Sequence, residues 1–123
     1  MQLNLERPDY AFFLRGADGT SALVNERTLR QSFIVAPNTL IERWPATDAS
    51  MLSPVDLEPL LGLQPELVVL GTGATQVFPA SEVMAACLTL GVGIEIMTNA
   101  AAARTFNVLA AEGRRVVAGF VIA

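Results

Sequence analysis

Residues 91–115 place a strand directly before a long helix, and this arrangement constrains the fold more than any other stretch. The segment begins Gly-Val-Gly-Ile-Glu-Ile-Met, which is apolar and rich in β-branched residues, as a strand is. It continues through Thr98 and Asn99 into an alanine-rich helix whose apolar side chains recur every three or four residues. Gly113 ends that helix, as a residue in the left-handed conformation does. The stretch predicts a β-α unit of an α/β domain.

The neighbouring segments repeat this alternation. Glu66 to Gly71 is a continuous apolar run, which is typical of a strand covered on both faces. Ala80 to Leu90 has helical spacing and stops at Gly91, and Arg115 to Ile122 is the last strand. The order β-α-β-α-β predicts parallel strands joined by right-handed crossovers.

The N-terminal third predicts a β-meander. Tyr10 to Val24 has the pattern of a hairpin, and Ser32 to Ala36 and Thr39 to Trp44 predict two more strands. Ser53 to Gly62 predicts a short helix or two loose turns. We therefore expect residues 1–123 to form a single three-layer α/β domain with a mixed central sheet, in which the meander is an added layer or a sheet edge.

The chain contains no His, and its eight cations are all Arg. The absence of His and Lys excludes Ser-His and Cys-His nucleophile pairs, a Lys Schiff base, His-ligated metals and a phosphate loop of the Walker type. Acid or base chemistry would fall to carboxylates, Cys87 or Tyr10, and these form no recognisable catalytic constellation. We assign no catalytic residue, expect no cofactor or metal, and disfavour an enzyme while leaving it open.

Charge and hydropathy narrow the partners and the compartment. The net charge of −4 and the scattered arginines argue against nucleic acid. No apolar run approaches the roughly 20 residues that span a bilayer. The N-terminus carries acids and Pro8 in place of the basic and apolar regions of a signal peptide. One Cys fits a reducing compartment. We expect a soluble cytoplasmic protein, either a monomer or a weak homodimer.

Two segments predict a cleft, because ligands of open α/β sheets bind beyond the carboxyl ends of the strands. Gly71, Thr72 and Gly73 follow one buried strand, and Thr98 and Asn99 follow the next. The glycines suit a dinucleotide loop only weakly, since the third glycine of that motif is missing. They also suit an ordinary turn, or a loop that holds a small anion on its N–H groups. Thr98 and Asn99 also suit helix capping.

Five polar residues complete the candidate set. Asn107 lies at the border of the buried helix face, where it either bonds backbone from a neighbouring loop or lines the cleft. Thr105 lies close to it. Glu95 is mid-strand, where burial demands a partner, so we expect an ion pair with Arg104 or Arg114 or else a functional acid.

Through these residues, the chain resembles a family of small domains of unknown function that includes the mitochondrial respiratory complex I assembly factor 3 and many short bacterial proteins. The matching stretches are Leu70-Gly71-Thr72-Gly73, Gly93 to Thr98, Ala102, Thr105-Phe106-Asn107, Leu109 and Glu112-Gly113-Arg114. The resemblance implies a compact three-layer α/β fold with a cleft where the Gly-Thr-Gly loop approaches the Thr-Asn helix start. It implies no known catalytic activity, and the mitochondrial members act through protein partners.

Three functions follow as hypotheses. We favour a non-enzymatic module that docks on an unidentified protein partner, as an assembly factor does. The alternative is a binder of a small anionic ligand at the cleft between the Gly71–Gly73 loop and the Thr98–Asn99 helix start. The third is an enzyme that uses Glu95 as its acid or base.

Overall fold

The computed structural model describes residues 10–123, so the N-terminal segment on which the signal-peptide prediction rests lies outside the described residues. The strands and helices are β1 (Leu14–Ala17), β2 (Ala22–Val24), β3 (Arg27–Leu29), β4 (Phe33–Ala36), β5 (Thr39–Ile41), α1 (Glu58–Leu61), β6 (Leu67–Gly71), α2 (Ser81–Leu88), β7 (Gly93–Met97), α3 (Asn99–Ala111) and β8 (Val116–Phe120). Within residues 10–123, none of the helices has the length and apolarity that crossing a membrane requires.

A mixed five-stranded sheet in the order β5-β4-β8-β6-β7 forms the centre of the molecule. β6 is parallel to both of its neighbours, with Val69 opposite Glu95 of β7 and Ala118 of β8. β4 is antiparallel to β8 and to β5. The predicted α/β class, the parallel C-terminal strands and the mixed sheet are confirmed.

The predicted β-meander is present and is divided between the two places that the prediction gave for it, an added layer and a sheet edge. β1, β2 and β3 form a separate antiparallel sheet, whereas β4 and β5 extend the central sheet at its edge. The difference follows from burial. All four residues of β4 are buried, as in a strand covered on both faces, while two of the three residues of β3 are exposed.

Each face of the central sheet carries its own hydrophobic core, because side chains along a strand alternate between the faces. Val68 and Leu70 of β6 point to one face, where they join a cluster that includes Leu60 of α1 and Val83 of α2. Val69 points to the other face, where α3 and the three-stranded sheet cover it. The helices therefore lie on opposite sides of the sheet, as a three-layer domain requires.

The predicted ends of the helices are confirmed. Gly91 follows α2 with φ of +72°, and Gly113 follows α3 with φ of +77°, so both adopt the left-handed conformation expected after a helix. The segment before β6 is a 3₁₀ turn, Pro54–Leu57, followed by α1. The Asp56 carboxylate accepts the N–H of Ser53 at 2.8 Å, which fixes the start of this turn.

Candidate functional site

The carboxyl ends of the three parallel strands lie along one edge of the central sheet. β6 ends at Gly71, β7 at Met97 and β8 at Phe120. β6 leads to α2 on one face and β7 leads to α3 on the other, so two adjacent strands send the chain in opposite directions. Open α/β sheets bind ligands at such a divergence. The structure brings Gly71, Thr72, Gly73, Thr98 and Asn99 together there, as the sequence predicts.

Asn99 fills the space between the two strand ends. Its side chain is fully buried. The Oδ1 atom accepts the N–H of Gly73 at 3.1 Å, and Nδ2 donates to the carbonyl groups of Asp18 at 2.9 Å and Val121 at 3.0 Å. A Cβ atom at Gly71 would collide with Asn99 Oδ1, so this position needs glycine for close approach. The amide ties three separate segments together.

Thr72 fixes the loop that follows β6. Its hydroxyl donates to the carbonyl of Thr75 at 2.6 Å and accepts the N–H of Val77 at 3.0 Å. Its own N–H donates to the carbonyl of Met97 at 2.9 Å. Gly73 has φ of +107°, a backbone angle that residues other than glycine rarely adopt. These bonds support the interpretation of the glycines as an ordinary turn.

Three N–H groups in the first turn of α3, those of Asn99, Ala101 and Ala102, are also bonded inside the protein. Thr98 is the N-cap, and its hydroxyl accepts the N–H of Ala101 at 3.2 Å. The N–H of Asn99 donates to the carbonyl of Gly73 at 2.9 Å, and that of Ala102 donates to the carbonyl of Thr98 at 2.8 Å. The capping role of Thr98 is confirmed. An anion here would have to displace internal bonds, so ligand binding by this set stays a prediction.

Asn107 joins α3 to the three-stranded sheet. Its Oδ1 atom accepts the N–H of Leu14 at 2.9 Å, and its Nδ2 donates to the carbonyl of Leu14 at 2.6 Å. The Tyr10 hydroxyl donates to the backbone carbonyl of Asn107 at 3.4 Å. Of the two alternatives for Asn107, the structure supports bonding to backbone. Thr105 and Arg104 lie on the same helix with half-buried and exposed side chains, respectively.

The expectation of a buried, ion-paired Glu95 is wrong. β7 lies at the edge of the sheet with β6 as its one neighbour, and the side chain of Glu95 is exposed. Arg114 pairs with Glu66 at 3.5 Å, close to the amino ends of β6 and β8 and therefore far from the predicted cleft. An apolar strand pattern does not distinguish an edge strand from an interior one, and this produced the error.

The remaining candidates for acid-base chemistry, Cys87 and Tyr10, are buried and half-buried, respectively. Cys87 is buried in the core cluster that includes Leu60 of α1, and burial raises the pKa of its thiol, which disfavours the nucleophilic thiolate. Burial also raises the pKa of the Tyr10 hydroxyl. Among residues 10–123, no three His, Cys, Asp or Glu side chains gather into a group that would hold a metal ion.

A groove that the sequence did not predict lies farther along the same edge of the sheet. β4 begins and β5 ends at this edge, because Phe33 pairs with Phe120 and Ile34 pairs with Ile41. We call the cavity of about 540 Å³ that opens there the Arg30–Arg43 groove. Its walls include Arg30, Ser32, Arg43, Trp44, Pro45 and Ile122.

The signal for this groove is weak in the sequence. Arg30 and Arg43 are thirteen positions apart and neither lies in a motif. Each one follows a strand, and only the antiparallel pairing of β4 with β5 and β8 brings the two positions to one edge. The nearest prediction is a strand that ends at Trp44, and Trp44 lines the groove. Its indole Nε1 donates to the carbonyl of Asp56 at 3.0 Å.

Comparison with known proteins agrees with the fold and the resemblance. The NMR structure of a protein from Xanthomonas campestris is 53% identical, with a TM-score of 0.84 over 99% of this chain and 92% of that one. The solution structure of a Bordetella pertussis protein, described as an Mth938-like domain, is 27% identical, with a TM-score of 0.81 over 98% of this chain and 92% of that one.

Among curated proteins, the chain is similar to a "13 kDa major membrane protein" of Francisella tularensis, with 29% identity over 69 residues. That alignment spans 56% of this chain and 56% of the relative. The family model described as "Protein of unknown function (DUF498/DUF598)" matches residues 15–121, which include every described strand and helix except the first residue of β1. The chain therefore belongs to the DUF498/DUF598 family of proteins of unknown function.

Proposed function

We propose that the protein is a non-enzymatic interaction module that docks on another protein through one layer of the fold. The layer consists of the turns at residues 49–57 together with α2 and the residues flanking it; we call it the α2 layer. The observation that carries the proposal is its exposed apolar side chains, namely Met51 at 77%, Val55 at 61%, Phe78 at 63%, Leu88 at 61% and Leu90 at 64%.

Exposed side chains of this size are unevenly distributed. Within residues 10–123, the one other large and exposed apolar side chain is Val108 on α3. Apolar surface left in water forgoes about 25 cal/mol per Å², so such residues gathered on one layer are typical of a binding surface. The proposal follows from their concentration on one side of the sheet.

The charged residues of the stretch that contains the α2 layer indicate which charge the partner should carry. Between residues 44 and 103 the sequence has no Arg, and its acids are Asp48, Asp56, Glu58, Glu66, Glu82 and Glu95. An apolar surface in a stretch whose charged side chains are all acidic is complementary to a partner with an apolar centre and basic groups. We therefore expect the complex to weaken as salt is added.

The test is co-purification of a stoichiometric protein from native lysate. The variant Phe78→Ser with Leu90→Ser removes two exposed apolar side chains of the α2 layer, and Val108→Ser is the matched control on the other side of the sheet. We expect wild type and the control to retain the same protein and the α2-layer variant to lose it. Equal capture by the variant would contradict the α2 layer as the contact.

A more specific proposal is that the interaction serves the assembly of a larger complex. This proposal rests on the resemblance to the mitochondrial assembly factor. We further propose that the protein works in the cytoplasm, as a monomer or weak homodimer. The name of the Francisella relative makes the membrane the competing location. Fractionation of cells by centrifugation decides between them, and recovery with the membranes in high salt would contradict the cytoplasmic proposal.

The alternative function, small-anion binding at the Gly71–Gly73 and Thr98–Asn99 cleft, has less support. The N–H and amide groups of that cleft bond to one another, and an anion would gain little by replacing them. It remains the second proposal. Its test is whether inorganic phosphate shifts the amide resonances of Gly73 and Ala101 in a nitrogen-proton NMR spectrum.

A further inference from the structure

We propose that the Arg30–Arg43 groove binds a small organic anion, with a phosphate or carboxylate held by the two arginines and an apolar part lying against the groove wall. This site shares no residue with the α2 layer or with the Gly71–Asn99 cleft. It stands on three observations, namely two arginines without ion-pair partners, an apolar floor whose polar atoms are already bonded, and a volume suited to a small molecule.

The arginines are the first observation. A second cavity of about 410 Å³ adjoins the groove, and Arg30 and Arg43 line both. Among residues 10–123, neither guanidinium has a carboxylate within ion-pair distance, while the adjacent Arg27 is paired with Glu42. A protein with a net charge of −4 thus exposes two guanidinium groups without ion-pair partners at one place, although Glu42 lines the adjoining cavity and Ala123 lines the groove. Guanidinium is suited to phosphate and carboxylate because its N–H groups bind both oxygens at once.

The floor is the second observation. Ser32, Trp44 and Ile122 are each 3% exposed. The Ser32 hydroxyl accepts the N–H of Ile122 at 2.8 Å, and Trp44 Nε1 is bonded to a backbone carbonyl. Every buried side-chain N or O atom within residues 10–123 has a hydrogen-bond partner. A ligand therefore does not have to supply a hydrogen bond to the floor of the groove. Polar recognition is therefore left to the arginines at the rim, and the floor offers apolar contact.

The volume is the third observation. Pockets that hold small molecules measure roughly 300–1,000 Å³, are mostly apolar and carry a few placed polar groups. The groove, at about 540 Å³, fits this description. It also lies along the edge of the mixed sheet at which the parallel strands β6, β7 and β8 have their carboxyl ends, the edge where open α/β folds bind their ligands. These features favour a small molecule with one anionic group over an extended polyanion.

The experiment is an NMR titration of the nitrogen-15-labelled full chain at low salt, with phenyl phosphate, benzoate and inorganic phosphate as probes. Ligands of this size bind with dissociation constants of about 1 mM. We expect phenyl phosphate or benzoate to shift the amides of residues 30–33, 43–46 and 122, and inorganic phosphate to bind at least about fivefold more weakly, because it lacks the apolar part.

The variants test the arginines. Arg30→Gln with Arg43→Gln should weaken binding of the aromatic anion at least about tenfold, because two charge-assisted contacts are lost. Arg15→Gln with Arg115→Gln removes the same charge elsewhere and should bind like wild type. All four side chains are exposed, so both double variants should fold.

Three results would overturn the proposal. The first is that neither phenyl phosphate nor benzoate shifts the amides of the groove. The second is equal affinity of the two double variants for the aromatic anion. The third is inorganic phosphate binding as tightly as phenyl phosphate. Phenyl phosphate and benzoate together also establish whether the anionic group is a phosphate or a carboxylate, since a groove selective for one gives shifts with that probe alone.

Discussion

Asn99 is the residue on which the N-terminal sheet, the loop after β6 and the end of β8 converge. Its amide bonds to Gly73, Asp18 and Val121, and its side chain is completely buried. Buried amides are stabilising only while every partner is kept, since an unpaired buried donor or acceptor costs more than a hydrogen bond returns. The structure thus gives Asn99 a bonding role within the fold, at a position for which the sequence predicted either helix capping or part of a ligand cleft.

Replacing Asn99 with alanine should lower the free energy of unfolding by about 2–4 kcal/mol, because it leaves the Gly73 N–H and two carbonyl groups without their partner. Urea denaturation followed by circular dichroism measures this loss. Thr98→Ala, which removes only the N-cap bond, should cost about 1 kcal/mol. If Asn99→Ala cost no more than Thr98→Ala, the converging bonds would not be important to the fold.

A second substitution tests the close approach of Gly71 to this amide. Gly71→Ala alone should destabilise by about 1–3 kcal/mol, since its Cβ would meet Asn99 Oδ1 and lie 3.2 Å from Phe120. In the Asn99→Ala background part of that obstacle is gone, so the two losses should not add. Strict additivity would show that the two residues do not press on each other.

At the scale of elements, β7 is an edge strand of the central sheet and leaves part of its backbone open to association. The N–H of Gly93 donates to Glu66 and the carbonyl of Met97 accepts from Thr72, so the alternate residues Ile94 and Ile96 turn their backbone groups outward. Gln76 Nε2 donates to the Ile96 carbonyl at 2.8 Å and covers part of this edge. An exposed charge in mid-strand is a common protection of sheet edges, and Glu95 is in that position.

Glu95→Ile should therefore promote self-association, because it removes the charge and leaves an apolar strand with free backbone groups. Light scattering during incubation at 37 °C, together with size-exclusion chromatography, measures the effect. The matched control is Glu82→Ile on α2, which makes the same chemical change away from a strand edge. Equal aggregation of both variants would attribute the effect to general hydrophobicity and contradict a role for the β7 edge.

At the scale of the whole molecule, Glu66 links the starts of β6 and β8 at the edge opposite the candidate sites. Its carboxylate accepts the N–H of Arg115 at 3.0 Å, and this bond and then the nearby Arg114 and Arg115 charges hold the pKa of Glu66 below its ordinary value of 4.5. A carboxyl whose pKa is lowered in the folded state stabilises the fold above the ordinary pKa. That stability is lost as the pH falls through the folded-state pKa.

Glu66→Gln should consequently be less stable than wild type at pH 7, and the difference should shrink as the pH falls below 4.5. Because the carboxylate is at the surface, the effect should also diminish in high salt. Thermal unfolding between pH 7 and pH 2.5 measures it, with Glu95→Gln as a control that removes an exposed charge. A constant difference across this range would mean that the ionised form of Glu66 is not what stabilises the junction.

The sequence alone determined the elements of the C-terminal half and their order, because these depend on neighbouring residues, whereas β3 (Arg27–Leu29) was not among the predicted strands. Apolar spacing located α2 and α3, Gly91 and Gly113 ended them, and the uninterrupted apolar run of β6 indicated a strand covered on both faces. The β-α-β-α-β order then implied the parallel strands. Thr98 as an N-cap follows from the same local chemistry.

Only the tertiary structure decided which strands pair and which polar groups meet. Strand pairing made β7 an edge and so exposed Glu95, placed β4 in the central sheet, and brought Arg30 and Arg43 to one groove. Asn107 bonds to Leu14 across more than ninety residues of chain. Such contacts depend on long-range packing, whereas the apolar period of a strand is the same at the edge and at the centre of a sheet.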